Sequence, residues 1–598
     1  MIGARRRAPK EGNVRRGSTR PRADTCAIRD ALRPSRGALL SAGLVSGAVN
    51  VLALTGPLYV LEVYNRVLPS HGVSALVVLT LAMLALYVLS GALDFVRVRL
   101  MARVARRLDA RLSARVFATL QATPAAARGP GDGLQPLRDL DQIRAFLTSP
   151  GPTALFDMPW LPLYLAVVFL MHPLLGMLAT AGAVLLVALM LVAEGQTKGP
   201  MRATARTAGK RWALAAAARR HAEVSRAMGF ERQLTRRWLG LNARHLAAER
   251  AASRPANACA AAIKVARPAL QSGIVGLGAY LVLEGESSAG IMIAASIVLS
   301  RALAPVETAI GHCRAFAAAR AARRRLSALL AARPRKVIRA GPPRPHRSLA
   351  VARLSVGPPG ASAPVIRGVG FALRAGAGLG IVGPSASGKS TLARALVGAW
   401  TPLRGEVRLD GIAFSAWSTG ARGRHIGYLP QDVSLFSGTI ADNIARFDPP
   451  APPEAIAAAA RAAGVDAMIA RLPAGYATQI GEDGGVLSAG QRQRIALARA
   501  LYGEPFLVVL DEPDASLDAE GERALTEAVL AVRRRGGIVV VVAHRRAALE
   551  GVDHVLALSD GRVRAYGPRD AVLAELRARD LGARPPNGYP AFPRPIPE

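Results

Sequence analysis

The chain has few cysteines, few aromatic residues and few lysines, and each scarcity excludes a class of protein or site. Its three cysteines, Cys26, Cys259 and Cys313, cannot form a disulfide framework, and their spacing fits no metal site. Aromatic residues make up 5% of the 598 residues, and no module interleaves them with basic residues as nucleic-acid-binding domains do. We therefore expect no nucleic-acid partner, although the formal net charge is +37.

Hydrophobic residues are plentiful by contrast, at 51% of the chain, and they are concentrated in six runs. Each run approaches the roughly 20 residues that an α-helix needs to cross a bilayer. The predicted spans lie near 38–61, 73–95, 156–171, 174–193, 265–283 and 288–310. Arginines crowd the ends that lie opposite the short turns between paired spans. Because positive charge marks the cytoplasmic side, we expect both termini inside and the short turns outside.

Composition also predicts the domain limits. Residues 1–36 are basic and are predicted to form a disordered cytoplasmic tail, followed by an all-α transmembrane domain of six helices over 37–330. Prolines predict a linker over 331–347. Short β-branched runs that alternate with helical segments predict an α/β nucleotide-binding domain over 348–575. The proline-rich residues 576–598 are predicted to form a C-terminal tail.

Two arginines, Arg267 and Arg301, lie deep inside predicted spans. Counted from the outer turns at about 1.5 Å per residue, each lies roughly 20–24 Å into its helix. An ionisable residue at such depth normally faces protein or a water-filled cavity. One interpretation is a basic translocation cavity that both arginines line. The other is that they snorkel to the interface or pair with Glu307.

The strongest local signal is a loop rich in glycine and serine, residues 383–391, between a strand-like run and a helical one. In this setting such a loop binds phosphate through its backbone N–H groups and the following helix N-terminus. Lys389 is predicted to reach the terminal phosphates and Ser390 to supply a hydroxyl to Mg²⁺. The predicted ATP-binding residues are Gly383, Pro384, Ser385, Ala386, Ser387, Gly388, Lys389, Ser390 and Thr391.

The lysine in this loop is informative because the chain has six lysines against 72 arginines. Lys389 is the only lysine after Lys336, which indicates that a compact ammonium is needed there and a guanidinium fork is not.

A buried-strand run, residues 506–510, ends in two carboxylates. Asp511 is predicted to hold Mg²⁺ at the end of the strand. Glu512 is placed to orient and deprotonate an attacking water. The two motifs together predict an ATP hydrolase that uses Mg²⁺.

Two further motifs indicate a family. The segment Leu487, Ser488, Ala489, Gly490 and Gln491 opens an amphipathic stretch, so its backbone amides suit an anion. Gln431 ends the segment 427–431, and His544 follows a strand-like run. With the phosphate loop, these motifs resemble the ABC transporters over nearly the whole chain. Ala489 departs from that family's LSGGQ signature and adds a methyl group where ATP approaches.

The resemblance implies a homodimer, because in that family the signature of one subunit contacts the ATP held by the other. It implies catalytic roles for Gln431 and His544 beside Glu512, with Gln431 also among the Mg²⁺ ligands and His544 at the γ-phosphate. It also implies that Asp518 belongs to the loop that communicates between subunits.

Many members of the family stack the adenine on an aromatic residue. No aromatic lies between Leu354 and Ile366, and Val356 is the residue expected to replace it by apolar contact.

Three segments, 63–70, 301–307 and 425–432, look like the type I secretion permease/ATPases. This resemblance implies ATP-driven export of a protein cargo with a C-terminal signal across the bacterial inner membrane. It also implies two partners, a periplasmic membrane-fusion adaptor and an outer-membrane channel.

Two alternatives remain open. One is an exporter of lipid, peptide or drug with the same half-transporter architecture. The other is a chromosome-maintenance ATPase, which would need a long coiled coil between Lys389 and Asp511, and no heptad run lies there.

Overall fold

The chain forms two compact units, Met1–Pro334 and Arg335–Glu598. The computed structural model describes residues 26–122, 133–331, 342–448, 450–543, 545 and 547–580. The boundary between the units falls inside the segment predicted as a linker, of which residues 332–341 lie outside the described residues.

The described part of the first unit is helical. Long apolar runs favour this because a helix satisfies the backbone polar groups within itself. Its helices are α1 (Cys26–Leu32), α2 (Arg36–Leu52), α3 (Thr55–Glu62), α4 (Leu68–Ser70), α5 (Val73–Ala122), α6 (Gln135–Thr148), α7 (Gly151–Asp157), α8 (Leu161–Met171), α9 (Pro173–Arg220), α10 (Ala222–Ala227), α11 (Glu231–Leu283), α12 (Ala289–Gly311) and α13 (Cys313–Ala331).

Among the described residues, five helical stretches are long and apolar enough to cross a membrane. They are Ile28–Ser70, Val73–Ala122, Gly151–Met171, Pro173–Arg220 and Ala289–Gly311. They contain five of the six predicted spans. The remaining one, 265–283, lies in α11, which is helical throughout but is not among the five. Arg267, Pro268 and Gln271 lower its hydropathy, and the sixth span stays a prediction.

The predicted disordered tail is wrong for its last residues. Residues 26–35 form α1 and a 3₁₀ turn that leads into α2. Ile28 and Ala31 are buried with apolar side chains of α5, α6 and α13. Apolar packing of this one helix face therefore outweighs the basic composition of the segment. Residues 1–25 lie outside the described part of the chain.

The second unit, as far as the structure describes it, contains two sheets. A six-stranded sheet has the order β10-β9-β3-β8-β7-β6, and an antiparallel four-stranded sheet has the order β2-β1-β4-β5. The strands are β1 (Ser348–Val356), β2 (Ile366–Arg374), β3 (Gly378–Val382), β4 (Arg404–Leu409), β5 (Ile412–Ala413), β6 (Ile426–Leu429), β7 (Leu507–Asp511), β8 (Ile538–Val542), β9 (His554–Ser559) and β10 (Arg562–Pro568).

The second unit also contains helices, several of which pack on the larger sheet. They are α14 (Lys389–Leu396), α15 (Thr419–His425), α16 (Ile440–Ile444), α17 (Pro453–Ala462), α18 (Asp466–Ala470), α19 (Ala489–Leu501), α20 (Ala519–Arg534) and α21 (Arg569–Asp580). The last of these continues past residue 575, so the first residues of the predicted C-terminal tail are helical instead.

The order of the larger sheet positions the site. Strands β9, β3, β8, β7 and β6 run parallel, and only β10 pairs antiparallel. All residues of β7 and β8 are buried, which explains their unbroken hydrophobic runs. Strands β3 and β7 flank β8, so the segments that follow them leave the same edge of the sheet. Such an edge is where α/β folds bind ligands.

Candidate nucleotide hydrolysis site

The phosphate loop, residues 383–391, connects β3 to α14. Its backbone takes left-handed or other positive φ values at Gly383 (154°), Ala386 (65°) and Gly388 (98°). A Cβ atom at Gly383 would lie 2.2 Å from the carbonyl oxygen of Leu558, so only glycine fits there. Because α14 begins at Lys389, its N-terminus opens onto the loop and suits an anion.

Lys389 lies across this loop and is 5% exposed. Its Nζ donates hydrogen bonds to the carbonyl oxygens of Gly383 at 2.8 Å and Pro384 at 2.9 Å. Burial lowers the pKa of the ammonium, while Glu512 and Asp511 act in the opposite direction. The ammonium is therefore held by carbonyl oxygens of the loop. Oxygens of a bound phosphate would compete with these carbonyls for its hydrogen bonds.

Asp511 stands at the end of β7 and is 1% exposed. Its Oδ1 accepts a hydrogen bond from the Ser390 hydroxyl at 3.2 Å, and its Oδ2 has no hydrogen-bond partner among the described residues. Burial, followed by the charge of Glu512, raises the pKa of this carboxyl. A buried carboxylate oxygen without a partner is costly unless a ligand satisfies it.

A hydroxyl and a carboxylate oxygen are the hard donors that Mg²⁺ prefers, and Mg²⁺ commonly takes its other ligands from phosphates and water. Within the described ranges, no three His, Cys, Asp or Glu side chains cluster as metal ligands. A Mg²⁺ site that phosphates and water complete does not need such a cluster. Ser390 and Asp511 thus fit the predicted ion.

Glu512 follows Asp511 with a φ of 52°, which is unusual for a non-glycine residue. Its Oε2 accepts a hydrogen bond from Gln431 Nε2 at 2.9 Å, and its backbone N–H donates to Val542 O at 3.0 Å. The predicted base and Gln431, for which a catalytic role was also predicted, are therefore in direct contact, although 81 residues separate them in sequence. Backbone strain of this kind is often found at functional sites.

Sequence reasoning missed Gln493, which supports this turn from α19. Its side chain is buried, and Nε2 donates to Pro513 O at 2.5 Å and to Glu512 O at 3.3 Å. The sequence feature that could have indicated Gln493 is its position on the buried face of the amphipathic helix that follows the signature.

The signature, residues 487–491, begins α19 as predicted. Ser488 is the N-cap, and it forms a capping box in which Ser488 Oγ accepts from Gln491 N and Gln491 Oε1 accepts from Ser488 N. Ala489 is exposed, so its methyl group faces outward. This helix N-terminus can therefore contact an anion from outside the protomer.

Asp518 is tied to the same helix. Its Oδ1 accepts a hydrogen bond from Gly521 N at 2.9 Å, and the carboxylate pairs with Arg494 of α19. The hydrogen bond from Gly521 and then the one from Arg494 lower the pKa of this carboxyl. A cleft of about 390 Å³ lies between these groups, lined in part by Ser488, Gln491 and Asp518. Within the described residues, no hydrogen bond or ion pair joins the signature to the phosphate loop.

Two residues predicted for this site are not among its described contacts. His544 lies outside the described residues. Val356 is fully buried in the core of the four-stranded sheet, so the expectation that it contacts adenine is wrong. Its alternating position on β1 points it into the core, and Val365, at 37% exposure, lies beside the phosphate loop instead.

The two deep arginines of the first unit differ from each other. Arg267 donates to Glu307 Oε2 at 2.6 Å and to Ser300 Oγ at 2.8 Å, which is the pairing that the alternative interpretation named. Arg301 is exposed and makes no hydrogen bond or ion pair within the described residues. Of the two, Arg301 is the one still available to a cavity.

The structure also contains a buried polar cluster that the sequence did not reveal, here called the Arg97 cluster. Arg97 of α5 donates to both carboxylate oxygens of Asp157 at 2.8 and 2.9 Å and to Ser46 Oγ at 3.1 Å. Asn50 donates to Asp157 at 2.8 Å, and the hydroxyl of Tyr164 donates to Asn50 O at 2.8 Å. The cluster joins α2, α5, α7 and α8.

Comparison with known proteins agrees with this architecture. Family models described as ABC transporter and ABC transporter transmembrane region match residues 366–515 and 39–303. The chain is 50% identical over 546 residues to the type I secretion system ATP-binding protein PrsD of Rhizobium meliloti (strain 1021), across 91% of this chain and 94% of that protein. This chain belongs to the ABC transporter family.

More distant members are similar over the same range. The cyclolysin secretion/processing ATP-binding protein CyaB of Bordetella pertussis (strain Tohama I) is 29% identical to this ABC transporter over 535 residues, 89% of this chain and 75% of CyaB. A solved bacterial Atm1-family ABC exporter with ATP bound has a TM-score of 0.76 at 23% identity and covers 92% of this chain and 98% of its own. That structure supports the exporter fold alone.

Proposed function

We propose that this ABC transporter is the ATPase-permease of a type I secretion system and uses ATP to export a protein across the bacterial inner membrane. The observation that carries the proposal is the 50% identity to PrsD over 91% of the chain. The candidate hydrolysis site supports the part of the proposal that concerns ATP, since a phosphate loop, a metal-binding carboxylate and a base are the parts that phosphoryl transfer needs.

The phosphate loop binds the triphosphate in this mechanism. Its amides and the N-terminus of α14 face the phosphates, and Lys389 exchanges its two carbonyl partners for β- and γ-phosphate oxygens. Ser390, Asp511 and Gln431 would hold Mg²⁺, which would neutralise charge on the phosphates. Asp511 fits this role because its Oδ2 is buried without a hydrogen-bond partner among the described residues.

Glu512 acts as the general base. Its carboxylate orients a water for in-line attack on the γ-phosphorus and accepts its proton while the bond to ADP breaks. Gln431 donates a hydrogen bond to that carboxylate at 2.9 Å and so helps to position it. His544 is proposed to contact the γ-phosphate.

A second copy of the chain completes each site. Each chain carries one cassette, and the exposed start of α19 at Ser488 and Ala489 suits the phosphates of a nucleotide held by another protomer. We therefore propose a homodimer with two sandwiched ATP molecules. Asp518, paired with Arg494, links the signature helix to the loop that would face the partner.

The membrane domain is proposed to lie in the inner membrane with the cassette and both termini in the cytoplasm, because arginines cluster on that side of the spans. A periplasmic membrane-fusion adaptor and an outer-membrane channel complete the route of a cargo that carries a C-terminal signal. Export of a lipid, peptide or drug is the second candidate. The likeness to the Atm1-family exporter supports a fold that both candidates share, and it does not distinguish their substrates.

The test is ATPase activity of the reconstituted full-length protein, with the C-terminal segment of a candidate cargo and, separately, with lipid or drug ligands. We expect the cargo segment alone to change the rate. Lys389→Ala should lower the rate by about 10²–10³-fold, as expected when a donor to transition-state charge is lost. Arg404→Ala, an exposed cation at the start of β4, is the control and should leave it unchanged. A response confined to lipids or drugs would refute protein export.

A further inference from the structure

A cleft of about 470 Å³, here called the acidic cleft, lies beside the turn that follows β7. Residues of α20 and of the 3₁₀ turn Ala547–Leu549 form its walls. None of its described lining residues belongs to the proposed nucleotide or Mg²⁺ site. Four carboxylates and one cation line it, in a chain whose formal net charge is +37. These charged residues are Asp514, Glu522, Arg523, Glu527 and Glu550.

Asp514 is the buried carboxylate of the acidic cleft. The residue is 6% exposed, and its side chain forms no hydrogen bond or ion pair with any residue that the structure describes. Its main-chain carbonyl accepts a hydrogen bond from the Leu517 N–H at 3.4 Å, so the turn itself is held in place. Burying a carboxylate without a positive partner costs free energy. A ligand that brings a positive charge into the cleft would remove that cost.

The cations near the cleft do not neutralise it. Arg545 pairs with Glu522 at 3.2 Å, but the side chain of Arg545 is 63% exposed, so this pair contributes little. Glu527 and Glu550 are exposed, and neither side chain has a hydrogen bond or ion pair within the described ranges. Arg523 donates to a main-chain oxygen of its own helix. Three of the four carboxylates therefore lack a cation in the part of the chain that the structure describes.

The spacing of the carboxylates and the size of the cleft restrict its ligand. Among the described residues, no three acidic, histidine or cysteine side chains come together as metal ligands, which disfavours a single divalent ion. Leu525, Ala547 and Ala548 also line the cleft, so its walls combine carboxylates with apolar surface. Its volume is typical of small-molecule sites, whereas a stable protein interface buries about 800 Å² on each partner. The ligand that fits is a small molecule with several separated positive charges.

We propose that the acidic cleft binds an aliphatic polyamine of the spermidine class. One ammonium group pairs with Asp514, and the others pair with the exposed carboxylates of Glu527 and Glu550. An ammonium is a compact charge with several donors, so it can satisfy a buried carboxylate. The methylene segments between the ammonium groups contact Leu525 and the two alanines. Because Asp514 follows Glu512 by two residues, the bound polyamine lies against the turn that carries the proposed base.

The experiment is titration calorimetry of the full-length protein with spermidine, in an uncharged detergent and without nucleotide. These conditions matter because polyamines also bind anionic lipids and the phosphates of ATP. We expect saturable binding with a Kd below about 1 mM. Asp514→Asn keeps the size of the side chain and removes its charge. It should weaken binding by about 10- to 150-fold, the effect of losing one hydrogen bond between charged groups. Glu550→Gln should weaken binding by less than about fivefold, because an exposed pair contributes little.

Glu454→Gln is the matched control, because Glu454 is an exposed carboxylate on α17 outside the cleft, and it should leave the affinity for spermidine unchanged. Thermal unfolding of the unmodified protein gives a second measurement. Spermidine should raise the unfolding temperature more than sodium chloride does at the same ionic strength, since a ligand that binds the folded state stabilises it. This comparison needs no variant, so a misfolded Asp514→Asn protein cannot obscure the result.

Absence of saturable spermidine binding would overturn the inference, as would an Asp514→Asn variant that binds spermidine as tightly as the unmodified protein. Binding of Mg²⁺ alone with the same dependence on Asp514 would overturn it too, because the site would then be one for a metal ion. The measurement does not use ATP hydrolysis, so failure of the polyamine site would leave the proposed export function untouched.

Discussion

Removing one charge from the Arg97 cluster should destabilise the membrane domain more than most single substitutions do. In the structure the side chains of Arg97 and Asp157 are 11% and 17% exposed, with Nη1–Oδ1 and Nη1–Oδ2 distances of 2.8 and 2.9 Å. Arg97→Met keeps most of the apolar volume and removes the charge. Asp157 then retains the hydrogen bond from Asn50 but loses its cation.

The expected cost is about 3–5 kcal/mol in the free energy of unfolding, the range for a buried ion pair that loses one partner. Ordinary side-chain hydrogen bonds inside membrane proteins average only about 0.6 kcal/mol, because the reference state in the bilayer finds other partners. The larger value should apply here, since what remains is an uncompensated buried charge and not an uncharged donor. Arg97→Met with Asp157→Asn removes the two buried charges and should recover more than half of the loss. The remaining loss is expected from Asp94, a half-exposed carboxylate that also pairs with Arg97.

The assay is equilibrium unfolding of the full-length protein in mixed micelles of a mild detergent and sodium dodecyl sulfate. Arg99→Met is the matched control on the same helix, because Arg99 is exposed and lies 4.6 Å from the centre of the Phe95 ring. It should cost about 0.5–1 kcal/mol. A cost of about 0.6 kcal/mol or less for Arg97→Met, with additive effects in the double variant, would refute the reasoning.

Four further predictions concern single side chains. Gln493→Met leaves the buried carbonyl of Pro513 and the part-buried carbonyl of Glu512 without this donor, which should lower the free energy of unfolding by about 1–3 kcal/mol and reduce kcat through the turn that holds Glu512. Ala489→Gly removes an exposed methyl group from the signature and should lower KM for ATP by less than about tenfold, measured by steady-state hydrolysis. Arg301→Ala should change the free energy of unfolding by no more than about 0.5 kcal/mol while lowering cargo export in vesicles. Arg267→Ala should lower the unfolding temperature, because its ion pair and hydrogen bond are lost.

The hydrolysis site was predictable where its chemistry is local. The phosphate loop, the carboxylates after β7 and the start of α19 at Ala489 each follow from short segments, since a strand end or a helix N-terminus is recognisable within ten residues. The family resemblance implied a catalytic role for Gln431 but not its contact with Glu512. The sheet order that brings β6 beside β7 is what produces it.

The errors concern contacts between distant segments. Val356 was expected to meet the base, but the register of β1 against β2 and β4 turns it into the core. In the sequence, Arg97 looks like any other arginine at the end of a predicted span, because nothing near it reveals Asp157, which is 60 residues away. Burial of α1 likewise depends on α13, which lies about 300 residues further along the chain.

The unequal use of arginine and lysine has a structural reason, which yields a last prediction. Arginine serves where several acceptors surround one cation: Arg446 alone donates to the carbonyl oxygens of Arg499, Gly423, Ile426 and Ala500. Lys389 occupies a different environment, 5% exposed between two carbonyl oxygens of one tight loop.

A guanidinium is planar and wider than an ammonium, so it cannot occupy that space and still leave room for phosphate. Lys389→Arg should therefore lose hydrolysis as fully as Lys389→Ala does, by about 10²–10³-fold, even though the charge is kept. Measured nucleotide affinity separates this explanation from a purely electrostatic one, because charge alone would preserve binding in the arginine variant. An arginine variant with near-normal affinity and turnover would show that charge, and not shape, kept this lysine in an arginine-rich chain.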